Sequence, residues 1–150
     1  MRIISRLDII TSSIIGSLIM SYDSYLLVMS QMFSRKKAQV IVQGSVIFIE
    51  SDRKSHWNLS TKILGIESKK IPGRLKECVS HTGLLRWQER GAYLKLDSDT
   101  NSIYLLQEIV SSKKYLPFKY LIGDFASVAN EWKEILEEFA GRDDSVTRVG

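Results

Sequence analysis

The sequence predicts an α+β fold, with one antiparallel, strongly twisted β-sheet, helices packed on one side of it, and a long C-terminal helix. Three stretches lead to that expectation. AQVIVQGSVIFIESD holds two short runs dominated by Val, Ile and Phe, separated by Gly44-Ser45, a tight-turn or bulge signal. GAYLKLDSDTNSIYLLQEI reads as a hairpin: apolar residues alternate with Lys95, then Asp97-Ser98-Asp99-Thr100-Asn101 supplies residues that bond their own backbone in turns. From Pro117 onward, Phe118, Leu121, Ile122, Phe125, Val128, Trp132, Ile135 with Leu136, and Phe139 recur at helical spacing, with acids on the other face.

The elements follow in order. Ile3, Leu7, Ile10, Ile14 and Leu18 fall on one helical stripe, which predicts an amphipathic N-terminal helix packing on a core or a partner. Asp8 and the Thr11-Ser12-Ser13 triplet interrupt this stretch, and no A-x-A-like cleavage site follows, so it reads neither as a secretory signal nor as a membrane span. SYDSYLLVMSQMF fits a helix through Tyr25 or Leu26, Met29, Met32 and Phe33. After the two Val/Ile-rich strands, His56 to Ile66 alternates strictly, with Trp57, Leu59, Thr61 and Ile63 on one face and a wet face opposite. Pro72 opens a short helix through Leu75, Cys78 and Val79 that ends at Thr82-Gly83. Leu84 to Gln88 and Tyr93 to Leu96 resume extended structure before the hairpin, and Gly141 is expected to stop the last helix. Residues 1–150 read as a single domain, with a helical region 1–37, a core 38–140 and a flexible tail 141–150.

Composition narrows the class. Hydrophobic residues are 44% and charged ones 25% of 150, which are ordinary globular values and exclude a disordered or fibrous chain. The single cysteine, Cys78, rules out an intrachain disulfide and a cysteine-based zinc site, and a reducing cytoplasm is the simplest compartment. The net charge of +4 is unevenly spread. Seven acids between Asp124 and Asp144 face only Lys133 and Arg142, so the basic excess lies elsewhere. Arg35-Lys36-Lys37, Arg53-Lys54, Lys69-Lys70 and Lys113-Lys114 sit at predicted element ends, where solvated loops account for them.

Chemistry-bearing residues are sparse. His56 and His81 are the two histidines, and no H-x-x-x-H or H-E-x-x-H spacing occurs to make a metal site. No phosphate-cradling glycine motif is present, so no cofactor is expected. Asp97 and Asp99 share a turn, but the other oxygen ligands of a calcium loop are missing. Cys78 stands three residues before His81, the one pairing that suggests nucleophilic chemistry, and a buried thiol acting as a small hydrophobe is the simpler reading. No catalytic residues are assigned, and the chain does not read as an enzyme. A small basic nucleic-acid-binding module is the alternative, with Trp57, Trp87, Tyr93 and Tyr104 as stacking candidates near Arg86, Arg90 and Lys95.

Against this thin catalytic inventory, the segment from Gly91 to Phe139 has a diffuse but ordered pattern. A strand, a polar turn, a strand, a linker and a long helix with a mid-helix aromatic follow in turn, marked by Gly91, Leu94, Leu96, Leu105, Phe125, Trp132 and Leu136. With the preceding strand carrying Trp57 and the short helix 72–82, residues 38–140 resemble the class I type III secretion chaperones, the Tir-chaperone-like family, and most of all its multi-effector invasion branch. The chain differs from that family in being basic outside its last helix, and in an N-terminal region through Lys37 that is longer and more apolar than a single first helix.

The resemblance implies a cytosolic homodimer without nucleotide or metal. It would bind the N-terminal segment of secreted effector proteins in extended form, with the secretion ATPase as a further partner and no membrane. Under that resemblance Val40, Val42, Phe48, Trp57, Leu59 and Ile63 belong to the effector-binding sheet region, beside the N-terminal helix face. Leu94, Leu96, Tyr104 and Leu106, with the 72–82 helix, form the dimer contact.

Overall fold

Ser21 opens the first helix of the computed structural model, which describes residues 20–53, 55–65, 73–82, 91–111 and 114–149, the side chains of residues 53, 78, 81, 82 and 139–149 excepted. The Ser21 side chain accepts the Ser24 N–H at 3.1 Å, satisfying one of the donors that a helix start leaves free. Helix α1 (Tyr22–Arg35) then runs with Asp23 in its first turn and Arg35 in its last, both favourable to the helix dipole. Lys36 closes it in the left-handed conformation, its N–H donating to the Met32 carbonyl at 3.0 Å. Tyr25, Val28 and Met32 form the buried stripe.

Strand β1 (Lys37–Val42) alternates exposed and buried residues along its whole length. It pairs antiparallel with β2 (Ser45–Arg53), setting Ala38 against Ile49, Val40 against Ile47 and Val42 against Ser45 on the buried face. Gln43 and Gly44 both have positive φ, 52° and 77°, so the two-residue turn suits the right-handed strand twist. The Gln43 side chain anchors this turn by donating to the Gly123 carbonyl (3.3 Å) and Ser127 Oγ (3.1 Å). On the outward face Lys37 meets Glu50 at 3.5 Å, an exposed pair that adds little stability.

Strand β3 (His56–Gly65) buries Leu59, Thr61 and Ile63 and half-buries Trp57, the face expected from the alternation. Helix α2 (Gly73–Thr82) buries Leu75 and Val79 and packs against β4 (Ala92–Asp97). β4 pairs antiparallel with β5 (Ser102–Val110), Leu94 opposite Leu105 and Leu96 opposite Ile103. The turn between them has the predicted chemistry: the two Asp97 carboxylate oxygens accept from the Asp99 N–H (3.1 Å) and the Thr100 hydroxyl (3.0 Å). The five strands make one antiparallel sheet in the order β1-β2-β3-β5-β4, the α+β architecture expected.

Helix α3 (Tyr115–Val149) starts two residues before Pro117, which lies in the first turn where its missing N–H costs nothing. Phe118, Ile122, Phe125, Ala126, Val128, Ala129, Trp132 and Leu136 are buried, whereas Leu121 is half-buried and Ile135 faces solvent. The helix does not stop at Gly141 but continues to Val149. A lone glycine inside a helix costs only about 1 kcal/mol relative to alanine, too little to end it without a capping partner.

By contact the chain divides into two units, residues 1–59 with 108–128 and residues 60–107 with 129–150. The first holds α1, β1, β2 and the first half of α3, and its core is Val28, Met32, Val40, Val42, Ile47, Ile49, Phe118 and Ile122. The second holds α2, β4 and most of β5, with Leu75, Val79, Leu94, Ile103 and Leu105 buried. The expected helix bearing Ile3, Leu7, Ile10, Ile14 and Leu18, the opening Pro72 and the extended stretch Leu84–Gln88 lie outside the described residues.

Candidate functional site: an apolar groove along the first helix

Helix α1 carries two apolar stripes, not one. Tyr25, Val28 and Met32 face the sheet, while Tyr22, Leu26, Met29 and Phe33 follow at the i, i+4, i+7, i+11 spacing of a second face. That second face is mostly open to solvent, with only Tyr22 held by a ring contact, to Tyr115. Phe33 is 94% exposed, Tyr22 54% and Leu26 46%, and only Met29 is half-buried. Exposed large apolar residues grouped on one face mark an interaction surface more often than scattered ones do.

Beside this stripe runs a groove of about 730 Å³. Tyr22, Leu26, Met29 and Phe33 form one wall, Tyr25 and Met32 reach its base, and Lys36, Ser51, Trp57 and Ser111 line the other side. An aromatic cluster holds its shape. Tyr115 meets Tyr22 edge-on at 5.1 Å and Tyr25 at 5.2 Å, and Trp57 meets Phe118 edge-on at 5.8 Å and 87°. Edge-to-face contacts of this kind add about 0.5–1.5 kcal/mol each beyond area burial. Tyr115 also donates to the Met20 carbonyl, and Lys119 lies 5.6 Å from the Tyr115 ring centre.

The groove can therefore take up apolar side chains, with methionine thioethers that adapt to irregular shapes and Lys36 as a cation at its rim. Among the described residues no group of three His, Cys, Asp or Glu side chains is placed to bind a metal. The Cys78 and His81 side chains, and Arg86, Trp87 and Arg90, lie outside the described residues.

The nearby strand edge has its own geometry. β1 is an edge of the sheet. Because the Ser51 N–H donates to the Lys36 carbonyl at 2.9 Å, the register directs the backbone groups of Ala38, Val40 and Val42 toward β2 and those of Lys37, Gln39 and Ile41 toward the open edge. Gln31 of α1 already accepts the Gln39 N–H there, at 3.3 Å.

Of the six residues expected to bind an effector, only Trp57 lines the groove. Val40, Val42 and Leu59 are buried in the first unit, and Ile63 is buried in the second. Phe48 is exposed on the outward face of β2, where the register groups it with Gln39, Ile41 and Val46. The four residues expected at a dimer contact are split between two faces of the β4-β5 hairpin. Leu94 and Leu96 share the face of Ile103 and Leu105, whereas Tyr104 and Leu106 lie opposite Lys95 and Tyr93 on the other. The sequence marks Leu26, Met29 and Phe33 of the principal wall as apolar helix positions but does not assign them, or Tyr22, to a binding site. The signal for such a site was present as a second helical stripe inside SYDSYLLVMSQMF, readable once the segment is taken as a helix with both faces apolar.

Fold and groove together define an α+β chain built around a solvent-open apolar surface. No family model matches it, and no curated protein does. Among solved structures it is similar to a chain of the HopA1-SchA chaperone-effector complex, at 17% identity and a TM-score of 0.53 over 75% of this chain and 93% of that one. It is also similar to a chain of the ExsC-ExsE complex, at 13% identity and a TM-score of 0.55 over 76% of this chain and 93% of that one. At such identities the likeness is one of fold. No helix among the described residues is long and apolar enough to cross a membrane.

Proposed function

We propose that this chain is a cytoplasmic type III secretion chaperone that binds the N-terminal segment of one or more effectors in extended form and keeps them competent for export. The observation that carries this reading is the exposed apolar stripe of α1 beside a groove of about 730 Å³, on a fold similar to that of a chain in a chaperone-effector complex. The work is non-covalent. An extended guest lays apolar side chains against Tyr22, Leu26, Met29, Phe33 and Trp57, and its backbone reaches the free groups of Ile41 on the β1 edge. Val40, Val42 and Leu59 belong to the buried core of the same unit, and Phe48 offers a further contact on the outward sheet face. The guest loses conformational entropy on binding, which keeps the affinity low enough for release.

The working form is a homodimer formed through α2 and the β4-β5 hairpin, with Tyr104 and Leu106 on the outward face as its contacts and Leu94 and Leu96 behind them. The secretion ATPase is a further partner at the export step. Co-expression with the secreted proteins encoded beside it tests the reading. The expected result is a stable complex that survives purification at twice the chain mass plus guest, and is lost when the guest's N-terminal segment is removed. A monomer that binds none of them, or that is retained on heparin in a strongly salt-dependent way, overturns it in favour of a nucleic-acid module.

A further inference from the structure

We propose that the guest segment held in the α1 groove is an apolar run flanked by an Asp or Glu side chain, and that Lys36 selects it by pairing with that carboxylate. This specificity rests on the chaperone reading above and adds to it the chemistry of the guest.

The lining of the groove is apolar with one charge. Among the described residues that form it, Lys36 is the one ionic side chain. Its backbone is held at the end of α1, where its N–H donates to the Met32 carbonyl at 3.0 Å and its carbonyl accepts the Ser51 N–H at 2.9 Å. The side chain is exposed, and among the described residues no carboxylate pairs with it. Lys37, the next residue, differs: its ammonium lies 3.5 Å from Glu50 on the outward sheet face. An anchored cation beside apolar surface, with no acid of its own, favours a ligand that brings one. Ser51 and Ser111 line the same side of the groove and add hydroxyl donors for the remaining lone pairs of a carboxylate.

The wider field has the same sign. The unit that holds the groove carries ten Lys and Arg against six Asp and Glu, and the other unit eleven against eleven, so the whole net charge of +4 belongs to the groove's unit. That field draws an acidic segment toward the groove. A nucleic acid is held instead by a row of cations along its backbone, and the groove lining offers one.

Helix geometry sets where the acid falls. From Tyr22 to Phe33 the exposed stripe runs about 17 Å, the length of about five residues of extended chain, of which every second side chain faces the wall. Lys36 lies just under one helical turn beyond Phe33, about 4.5 Å further along. The guest pattern is therefore apolar side chains at alternate positions, with the acid one or two residues past the last of them.

Selection from a displayed library of random peptides, with the purified full chain as bait, tests this. The parent enriches the alternating apolar pattern and, one or two positions past it, Asp or Glu by about fivefold over the unselected library, the affinity ratio that one partly exposed ion pair supplies. Lys36→Gln loses the acid and retains the apolar pattern. Lys37→Gln removes the same charge from the outward sheet face and keeps both. Both positions are exposed, so both variants hold the parent's denaturation midpoint. A selected peptide made with Glu or with Gln at the acidic position shows the same ratio of about fivefold in Kd at low salt, shrinking as salt rises. Acid enrichment that survives Lys36→Gln, or that Lys37→Gln also abolishes, overturns Lys36 as the selecting residue. Apolar peptides with no charge preference overturn the proposal and leave the chaperone reading standing, whereas a selection that enriches no apolar pattern overturns both.

Discussion

Tyr115 donates its phenolic hydroxyl to the main-chain carbonyl of Met20 at 3.0 Å, joining the first residue of α3 to the residue before the α1 cap across 95 positions of sequence. The same ring packs edge-on against Tyr22 and Tyr25, so one side chain fixes where α1 starts and the near end of the groove. Tyr115→Phe keeps the ring and removes only the donor. It lowers stability by about 1 kcal/mol, the usual net worth of such a bond, and the urea midpoint falls while the slope m stays constant.

Two phenylalanines of the first unit separate folding from binding. Phe118 is fully buried against Trp57 and Tyr25, whereas Phe33 is almost wholly exposed. Phe118→Ala costs about 3–5 kcal/mol, seen as a large fall in the denaturation midpoint. Phe33→Ala leaves stability within about 0.5 kcal/mol but weakens capture of a guest segment.

Gly44 sits at φ 77° in the β1-β2 turn, and a Cβ placed there meets nothing within 4 Å. Gly44→Ala therefore reads backbone strain without a packing change. The expected loss is about 1–2 kcal/mol in chemical denaturation, with the sheet register retained.

These residues also mark how far the sequence could be read. The β1-β2 turn, the Asp97 turn and the buried face of α3 were legible because each depends on local chemistry: a glycine at positive φ, a carboxylate bonding its own backbone, and a helical repeat. The site was not legible in the same way. Val40, Val42, Leu59 and Ile63 have the apolarity of a binding face, yet alternation cannot tell a strand face that meets a partner from one that meets its own helix, and all four are buried. Leu26, Met29 and Phe33 are legible as apolar helix positions, but periodicity alone does not say whether such a stripe meets core or solvent. Gly141 was read as a stop, but a helix end needs a capping partner as well as a glycine.

Lys133 on α3 is half-buried. Burial holds its ammonium below the ordinary value of 10.5, and the Glu137 carboxylate offsets this in part. Because the folded value lies below the unfolded one, the charged form opposes folding at neutral pH. Stability from this group rises as pH climbs through the lowered value toward 10.5. Lys133→Met is therefore more stable than the parent at pH 7, and the gap between their thermal midpoints narrows as pH approaches 10.5.

Under the proposed function, the exposed face of α1 holds the guest polypeptide. Calorimetric titration of an effector's N-terminal segment into the parent and into the Leu26→Asp, Phe33→Asp double variant measures it most directly. Burying two carboxylates against an apolar guest weakens binding by about a hundredfold or more, while the variant keeps the parent's denaturation midpoint because both positions face water. Equal affinity for the two proteins, with both folded, contradicts the claim.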